Sequence, residues 1–383
     1  MTRSGTDPAE VLALTEDLIR IESHAENPGR EAEAVRFLAG WFRERGIEPE
    51  LEPVEGNRAN LLARVGRKGG KRLLLCGHLD TVPAGSMRDA FSPHVEKGIL
   101  RGRGACDMKG AVAAMACALV SLRDEPVHGE VVFGGTVGEE TGSIGVRELV
   151  ARGPRADFAV VGEPTALRLG LAHKGLAFIR ITLTGRAAHG SVPERGANAA
   201  LAAAHLALEI ERDLGAKLAS HSHPLLGKGT VCVGRLSGGT RPNIVPDRCE
   251  VEIDCRTLPG EGDLLAEVER MAQRISSEVR GVSATVALME ECSIVPHVPL
   301  ETPASSQLAR AAGDTLAVLG LDPTPVGLTY WTDGAHLAAT GTETIILGPG
   351  DIALAHGPDD AVPVSELVQA AQLYAEIASR ILV

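Results

Sequence analysis

The chain has 383 residues, 44% of them hydrophobic and 23% charged, which is an ordinary globular balance and length enough for two domains rather than one. Its formal net charge of -12, without a Lys/Arg-rich run, makes it a poor partner for nucleic acid or an anionic membrane surface. No apolar run is long enough to span a bilayer, and the opening MTRSGTDPAEVLALTEDLIR lacks the apolar stretch of a signal peptide, so a cytoplasmic protein is expected.

Pro8–Ile21 and Glu31–Arg45 read as amphipathic helices. Lys71–Gly77 (KRLLLCG) is a continuous apolar run, as in a strand buried on both faces, and Glu130–Val137 and Phe158–Val161 are further strands. Met108–Leu122 is an Ala-rich apolar helix with Asp107 in the N-cap position. This alternation predicts an α/β sheet flanked by helices. The pattern then changes. Ala177–Thr184 alternates, with Phe178, Arg180 and Thr182 on one face and Ile179, Ile181 and Leu183 on the other. Arg248–Thr257 does the same, setting Cys249, Val251, Ile253 and Cys255 against Glu250, Glu252, Asp254 and Arg256. Helices over Ala197–Leu214 and Asp263–Val279 and strands over Thr230–Leu236 and Ser283–Met289 complete the order β-α-β-β-α-β, that of a ferredoxin-like unit. Residues 175–290 are therefore expected to form a small domain inserted into a larger one made of 1–174 and 291–383. A helix over Ser305–Leu319, a strand over Thr344–Leu347 and a closing helix over Ser365–Leu382, capped by Ser365, finish the larger domain.

The seven cysteines, Cys76, Cys106, Cys117, Cys232, Cys249, Cys255 and Cys292, are odd in number and include no Cys-x-x-Cys pair. That argues for reduced thiols, mostly small core residues, and against a disulfide framework or a thiolate zinc site. No phosphate loop, H-E-x-x-H or G-x-S-x-G is present, and Gly102–Gly104 (GRG) reads as a tight turn. His221 and His223 lie in a polar loop, SHSHP; His173 and His336 receive no role.

The chemistry gathers where the buried strands end. KRLLLCG runs into His78 and Asp80, EVVFGGTVG into Glu139 and Glu140, DFAVVG into Glu163, and TIILGPG leads to His356; Asp107 lies in the loop RGRGACDMKG. In open α/β sheets, ligands bind outside the carboxyl ends of the strands. Any one of these residues is an ordinary loop residue. Together they form a negative cluster that repels itself unless a cation neutralises it. Histidine and carboxylate without cysteine suits zinc, manganese or cobalt, and the surplus over three ligands points to two metals sharing a carboxylate. His78 and Asp80, two apart on an extended backbone, point the same way, so Asp80 can orient the imidazole. Of the adjacent Glu139 and Glu140, one can ligate while the other acts as general base on water, as amide hydrolysis requires.

The segments GHLDTVPAG (Gly77–Gly85), GRGACDMKG (Gly102–Gly110), GEETGSIG (Gly138–Gly145), VGEPT (Val161–Thr165), HKG (His173–Gly175), AAHGSVPERGANA (Ala187–Ala199) and LGPGDIALAH (Leu347–His356) resemble, in order and over nearly the whole chain, the acetylornithine deacetylase / succinyl-diaminopimelate desuccinylase family. That family belongs to the aminoacylase and glutamate carboxypeptidase group of metallopeptidases. The resemblance implies a zinc-peptidase-like catalytic domain with a mixed sheet, and an inserted lid and dimerisation domain. It implies two divalent ions, zinc first with cobalt or manganese as substitutes. His78, Asp107 and Glu163 would hold one; Glu140, Asp107 and His356 the other, with Asp107 bridging. Glu139 would be the general base, and the Asp107–Met108 peptide would be cis. His189 would reach a neighbouring subunit's site and help hold the oxyanion; Arg256 and Asn243 would meet the substrate carboxylate or help form the site. Arg256 is otherwise one of four charges on a solvated strand face. The implied substrate is a small N-acyl amino acid. A short peptide cut by a dipeptidase or carboxypeptidase is the alternative, and a non-catalytic metal-binding scaffold is the alternative of another class.

Overall fold

The computed structural model describes residues 7–27, 29–152, 156–289 and 297–382, and Cys292 lies outside them. The chain divides into two compact units. One comprises Met1–Ala172, Glu301–Gly327 and Thr332–Val383; the other comprises His173–Leu300 and Leu328–Trp331. Among the described residues no helix is long and apolar enough to cross a membrane.

The sheet of the first unit runs in the order Glu50–Glu55, Arg58–Gly66, Gly129–Thr136, Lys71–His78, Phe158–Val161, Glu343–Ile346, Gly170–His173, Leu300–Glu301. Its centre is parallel: Lys71–His78 pairs with both Gly129–Thr136 and Phe158–Val161, which in turn pairs with Glu343–Ile346. Those strands are buried on both faces, which is why they read as uninterrupted apolar runs. The antiparallel hairpin Glu50–Gly66 makes the sheet mixed. It has no counterpart in the elements predicted from sequence, because its outer strand carries exposed Glu50, Leu51, Pro53 and Glu55 at the sheet edge and shows no clean alternation.

The helix Gly110–Ser121 is apolar all round and buried from Gly110 to Leu119, as a helix walled in on every side must be. It packs against Pro8–Arg20, the C-terminal helix Val364–Ile381 and the sheet. Close approach to the sheet depends on missing side chains. A Cβ on Gly77 would come within 2.8 Å of Met108 Cε and 3.0 Å of Val112 Cγ2, and one on Gly162 within 2.8 Å of Ala111 Cβ.

Two predicted caps are corrected. Asp107 does not cap this helix: regular helix starts at Gly110 after Lys109, with no side-chain cap, and Asp107 (φ -123, ψ 98) and Met108 (φ -132, ψ 32) are non-helical. The Asp107–Met108 peptide is cis. Ser365 does not cap the last helix either, because the strand Ala361–Pro363 feeds directly into Val364 and Ser365 is already inside the first turn.

In the second unit four antiparallel strands lie in the order Thr230–Gly238, Arg248–Thr257, Gly175–Thr184, Ser283–Leu288, the strand order of a ferredoxin-like β-α-β-β-α-β unit. Ile179, Ile181 and Leu183 together with Cys249, Val251, Ile253 and Cys255 form the covered face, packed under the helices Ala199–Glu209 and Leu264–Glu278. Asn198 and Asp263 cap those helices, accepting from Leu201 N–H at 3.0 Å and Ala266 N–H at 3.1 Å. The first helix widens at Ile210–Leu214 and continues to Ala219, beyond its predicted end. The described cysteines are free; Cys232 is exposed and the other five are buried.

Candidate active site

Each buried parallel strand delivers its last residues to the same edge of the first unit. His78 closes Lys71–His78 and is 2% exposed. Glu163 follows Phe158–Val161 by two residues and is also buried. Asp107 reaches the same place from its non-helical turn and stands between the two histidines: Oδ1 lies 3.0 Å from His78 Nε2, and Oδ2 lies 3.1 Å from His356 Nε2. Glu163 Oε1 is 3.6 Å from His78 Nε2, and Glu140 Oε1 is 3.1 Å from His356 Nε2. The sequence-predicted residues His78, Asp107, Glu140, Glu163 and His356 thus converge. His356 differs from the rest in being exposed, on a left-handed backbone (φ 61) after the short turn Ile352–Leu354.

Asp80 has a larger part than the spacing from His78 conveys. His78 Nδ1 faces the main-chain oxygen of Asp80 at 3.0 Å, while the carboxylate stands farther off, at 3.6 Å. That carboxylate instead accepts three backbone N–H groups: Gly138 at 2.8 Å and Glu139 at 3.2 Å on Oδ1, and Glu140 at 3.0 Å on Oδ2. It fixes the turn that presents Glu139 and Glu140. Beneath that turn lies a buried, bidentate pair, Arg58 to Glu31, at 2.9 and 2.6 Å. Gly138 (φ +74) leaves room for it, since a Cβ there would fall 2.3 Å from Arg58 Nη2.

The electrostatics are those of crowded carboxylates with too little positive charge. Burial raises the Glu163 and Glu139 carboxyls well above the usual range, and neighbouring acids including Asp333 add to it. Glu140 is raised too, chiefly by burial. Burial also acts on Asp107, but the hydrogen bonds to His356 and His78 outweigh it and hold its carboxyl below the usual range. His356, hydrogen-bonded to Asp107 and Glu140, is pushed up to about 10. Burial works against a charge on His78, yet Asp107, Glu163 and Asp80 hold its pKa well above that of free imidazole.

The donor set fits divalent cations. It offers only nitrogen and oxygen, and ligand atoms of His78, Asp107 and Glu140 lie within 4.8 Å of one another. Sequence reasoning missed Asp333, buried against Thr136 with its carboxyl raised to about 7, mainly by burial. Its segment TDGAH follows no predicted strand, so only its local motif could have flagged it.

The remaining predicted residues belong to the second unit. His189 is exposed, bridges to Ile244 across an isolated antiparallel pair, and sets Nδ1 2.7 Å from Ser191 Oγ. Gly190 N–H donates to Asn243 O at 2.8 Å, so His189 and Asn243 sit on adjoining loops. Arg256 lies elsewhere, on Arg248–Thr257, with its guanidinium on the Asp254 carboxylate at 2.9 and 3.1 Å.

A largely buried histidine–carboxylate cluster beyond the carboxyl ends of parallel strands is the donor set of a divalent-metal site. The sequence pattern of peptidase family M20/M25/M40 matches residues 74–380, and the chain belongs to that family, whose members cut amide bonds. It is 31% identical to an acetylornithine deacetylase of Proteus mirabilis (strain HI4320) over 356 residues, 90% of this chain and 88% of that one. It is 31% identical to an acetylornithine deacetylase of Myxococcus xanthus over 385 residues, 96% of each. Among solved structures, a tripeptidase from Staphylococcus aureus subsp. aureus Mu50 shares the fold with a TM-score of 0.81 at 24% identity, covering 99% of this chain and 100% of that one. A dinuclear metal-binding peptidase of the M20 family from Bacillus subtilis does so with a TM-score of 0.71 at 19% identity, covering 98% of each.

Proposed function

We propose that the protein removes the acyl group from a small N-acyl amino acid. The observation that carries this is Asp107 between His78 and His356, at 3.0 and 3.1 Å, with Glu139 held beside them on the turn tied to Asp80. His78, Asp107 and Glu163 would hold one divalent cation and Glu140, Asp107 and His356 a second, zinc first and cobalt or manganese in its place. Such ions supply the polarisation that makes water nucleophilic at neutral pH. Glu139 takes a proton from the attacking water as its oxygen bonds to the amide carbon, then delivers that proton to the nitrogen as the C–N bond breaks. The second proton of the water passes from the new carboxyl to the amine, so the products are a carboxylate and an ammonium. His189 would donate to the oxyanion, and Arg256 and Asn243 would receive the substrate carboxylate.

The acyl class rests on the two deacetylase relatives. A peptidase reading draws on the tripeptidase of the same fold, and the substrate panel separates them. N-acetyl, N-succinyl and N-formyl amino acids and plain dipeptides are offered to the zinc- or cobalt-loaded protein, with Glu139→Gln as control. Amine release from one acyl class is expected, reduced about 10²–10⁴-fold in the control with metal content unchanged. Cleavage of dipeptides alone would move the assignment to a peptidase, and normal turnover by Glu139→Gln would remove that residue from its role. We further propose a homodimer through the second unit, with His189 acting across it. Activity lost on dilution, with the fold intact, is the expected sign.

A further inference from the structure

Arg103 and Asp360 are the most deeply buried oppositely charged pair near the site, at 2% and 1% side-chain exposure, and neither is a ligand in the scheme above. Their hydrogen bonds run to three different loops. Arg103 Nη1 donates to Asp360 Oδ2 at 3.1 Å, and Nη2 donates to Gly357 O at 3.0 Å, one residue past His356. The same nitrogen reaches Ala84 O at 3.3 Å and Nε reaches Pro83 O at 3.2 Å, on the segment that follows His78 and Asp80. Asp360 in turn accepts Gly104 N–H at 2.7 Å and Cys106 N–H at 2.9 Å, the residues that lead into Asp107.

The five ligand candidates are not equally well held. His78 and Glu163 are buried at the ends of paired strands, and Asp107 is enclosed. His356 is on an exposed loop with no strand behind it. On its C-terminal side the side chains of Arg103 and Asp360 join that loop to the turn before Asp107, beside the Gly102 N–H to Asp360 O bond at 3.1 Å and the pairing of Ala361 with Arg101. On its N-terminal side, Cys106 Sγ meets Asp351 O at 3.2 Å. A guanidinium fork can bind a carboxylate and three carbonyl groups at once, as here, which an ammonium cannot do in the same plane.

We propose that the Arg103–Asp360 pair is a positioning device that fixes His356 against Asp107 and so sets the affinity of the second cation, the one assigned to Glu140, Asp107 and His356. The inference rests on the two-cation reading. Changing Arg103 alone frees the loop of His356 at Gly357 and leaves His78 and Glu163 on their strands and the Gly104 and Cys106 bonds to Asp360 in place, so the two sites part company; changing Asp360 also loosens the turn before Asp107, which both sites share.

The test uses the full chain, stripped of metal and titrated with Co²⁺ and with Zn²⁺, as wild type, Arg103→Lys and Asp360→Asn. Folding is checked by circular dichroism and melting; Arg103→Gln replaces a variant that does not fold. Wild type is expected to bind two ions. Arg103→Lys is expected to keep one near wild-type strength and to lose about 10–100-fold on the other, the usual cost of removing support behind a ligand, with turnover returning as free metal is raised; Asp360→Asn is expected to weaken the second ion most and the first by less, through the turn before Asp107. Two ions bound as tightly as in wild type would overturn the inference and leave the two-cation reading standing. Equal weakening of both would overturn it as well, marking the pair as a general support. A wild type that takes only one ion would instead overturn the two-cation reading, and this inference with it.

Discussion

Replacing Asp80 by asparagine separates two ways in which this residue can serve the site. The change preserves shape and leaves the main-chain oxygen that faces His78 Nδ1 at 3.0 Å. It does alter the acceptor on which Gly138, Glu139 and Glu140 N–H converge. If the amide oxygen takes the place of Oδ1, the amide nitrogen confronts the Glu140 N–H, donor against donor; if it flips, two N–H groups are confronted. At least one bond to a charged acceptor is lost, about 1.5–3 kcal/mol, and the stranded donor costs about 1–3 kcal/mol more. The turn relieves this by moving, and a shift of about 1 Å in a catalytic group costs about 10² in rate. Steady-state kinetics at saturating metal should therefore show kcat down about 100-fold with KM little changed, while the ion assigned to His78, Asp107 and Glu163 still binds tightly. Unchanged kcat together with weakened binding of that ion would refute the reasoning and return Asp80 to the role of aligning the imidazole.

Glu31→Gln strips Arg58 of its bidentate partner beneath Gly138, and a broken buried pair costs about 3–5 kcal/mol. Urea unfolding followed at Trp41, in the first unit, should show a matching loss, and an unmoved midpoint would contradict it. His173 is held near pKa 4 by burial, against an ordinary 6.5. The unfolded chain then binds the proton more readily, so the stability His173 confers is full above pH 6.5 and drains away as pH falls toward 4, by about 3 kcal/mol at the limit. Melting curves from pH 7 to 4 for wild type and His173→Asn should converge on the acid side; parallel curves would exclude His173 as the source. Chelation should abolish turnover and lower the melting temperature, and zinc or cobalt should restore both, since ions that bind only the folded chain stabilise it. Full activity after exhaustive chelation would contradict the assignment of the cluster.

The convergence of His78, Asp107, Glu140, Glu163 and His356 was legible because buried strands write themselves as apolar runs and the polar residues that follow share an edge. The β-α-β-β-α-β order was legible for a related reason, the strict alternation of a strand with one wet face. Asp107 shows what such patterns miss. An acid before an Ala-rich helix is the sequence mark of a cap, but Asp107 is non-helical and turned instead toward His78 and His356, contacts distant in sequence. The bond from Asp80 to a turn some sixty residues on leaves no local trace, and neither does that from Arg103 to Asp360. Asp333 stayed hidden because its burial is decided by chain far away in sequence.

Beneath the cluster, Gly77 and Gly162 bring backbone directly against Met108 and Ala111, with no side chain between. At Gly162 an added methyl would meet Ala111 Cβ at 2.8 Å and push the strand and helix apart, whereas at Gly77 the nearest atom is the far end of Met108, which can give way. Change there is narrowly limited, whereas the exposed loops around His189 and Asn243 can vary by small steps. A lineage adapting this framework to a new amide would keep its chemistry almost unaltered for long periods and diversify at the loops, so that the most informative differences between its descendants would lie in those loops rather than in the floor beneath the cluster.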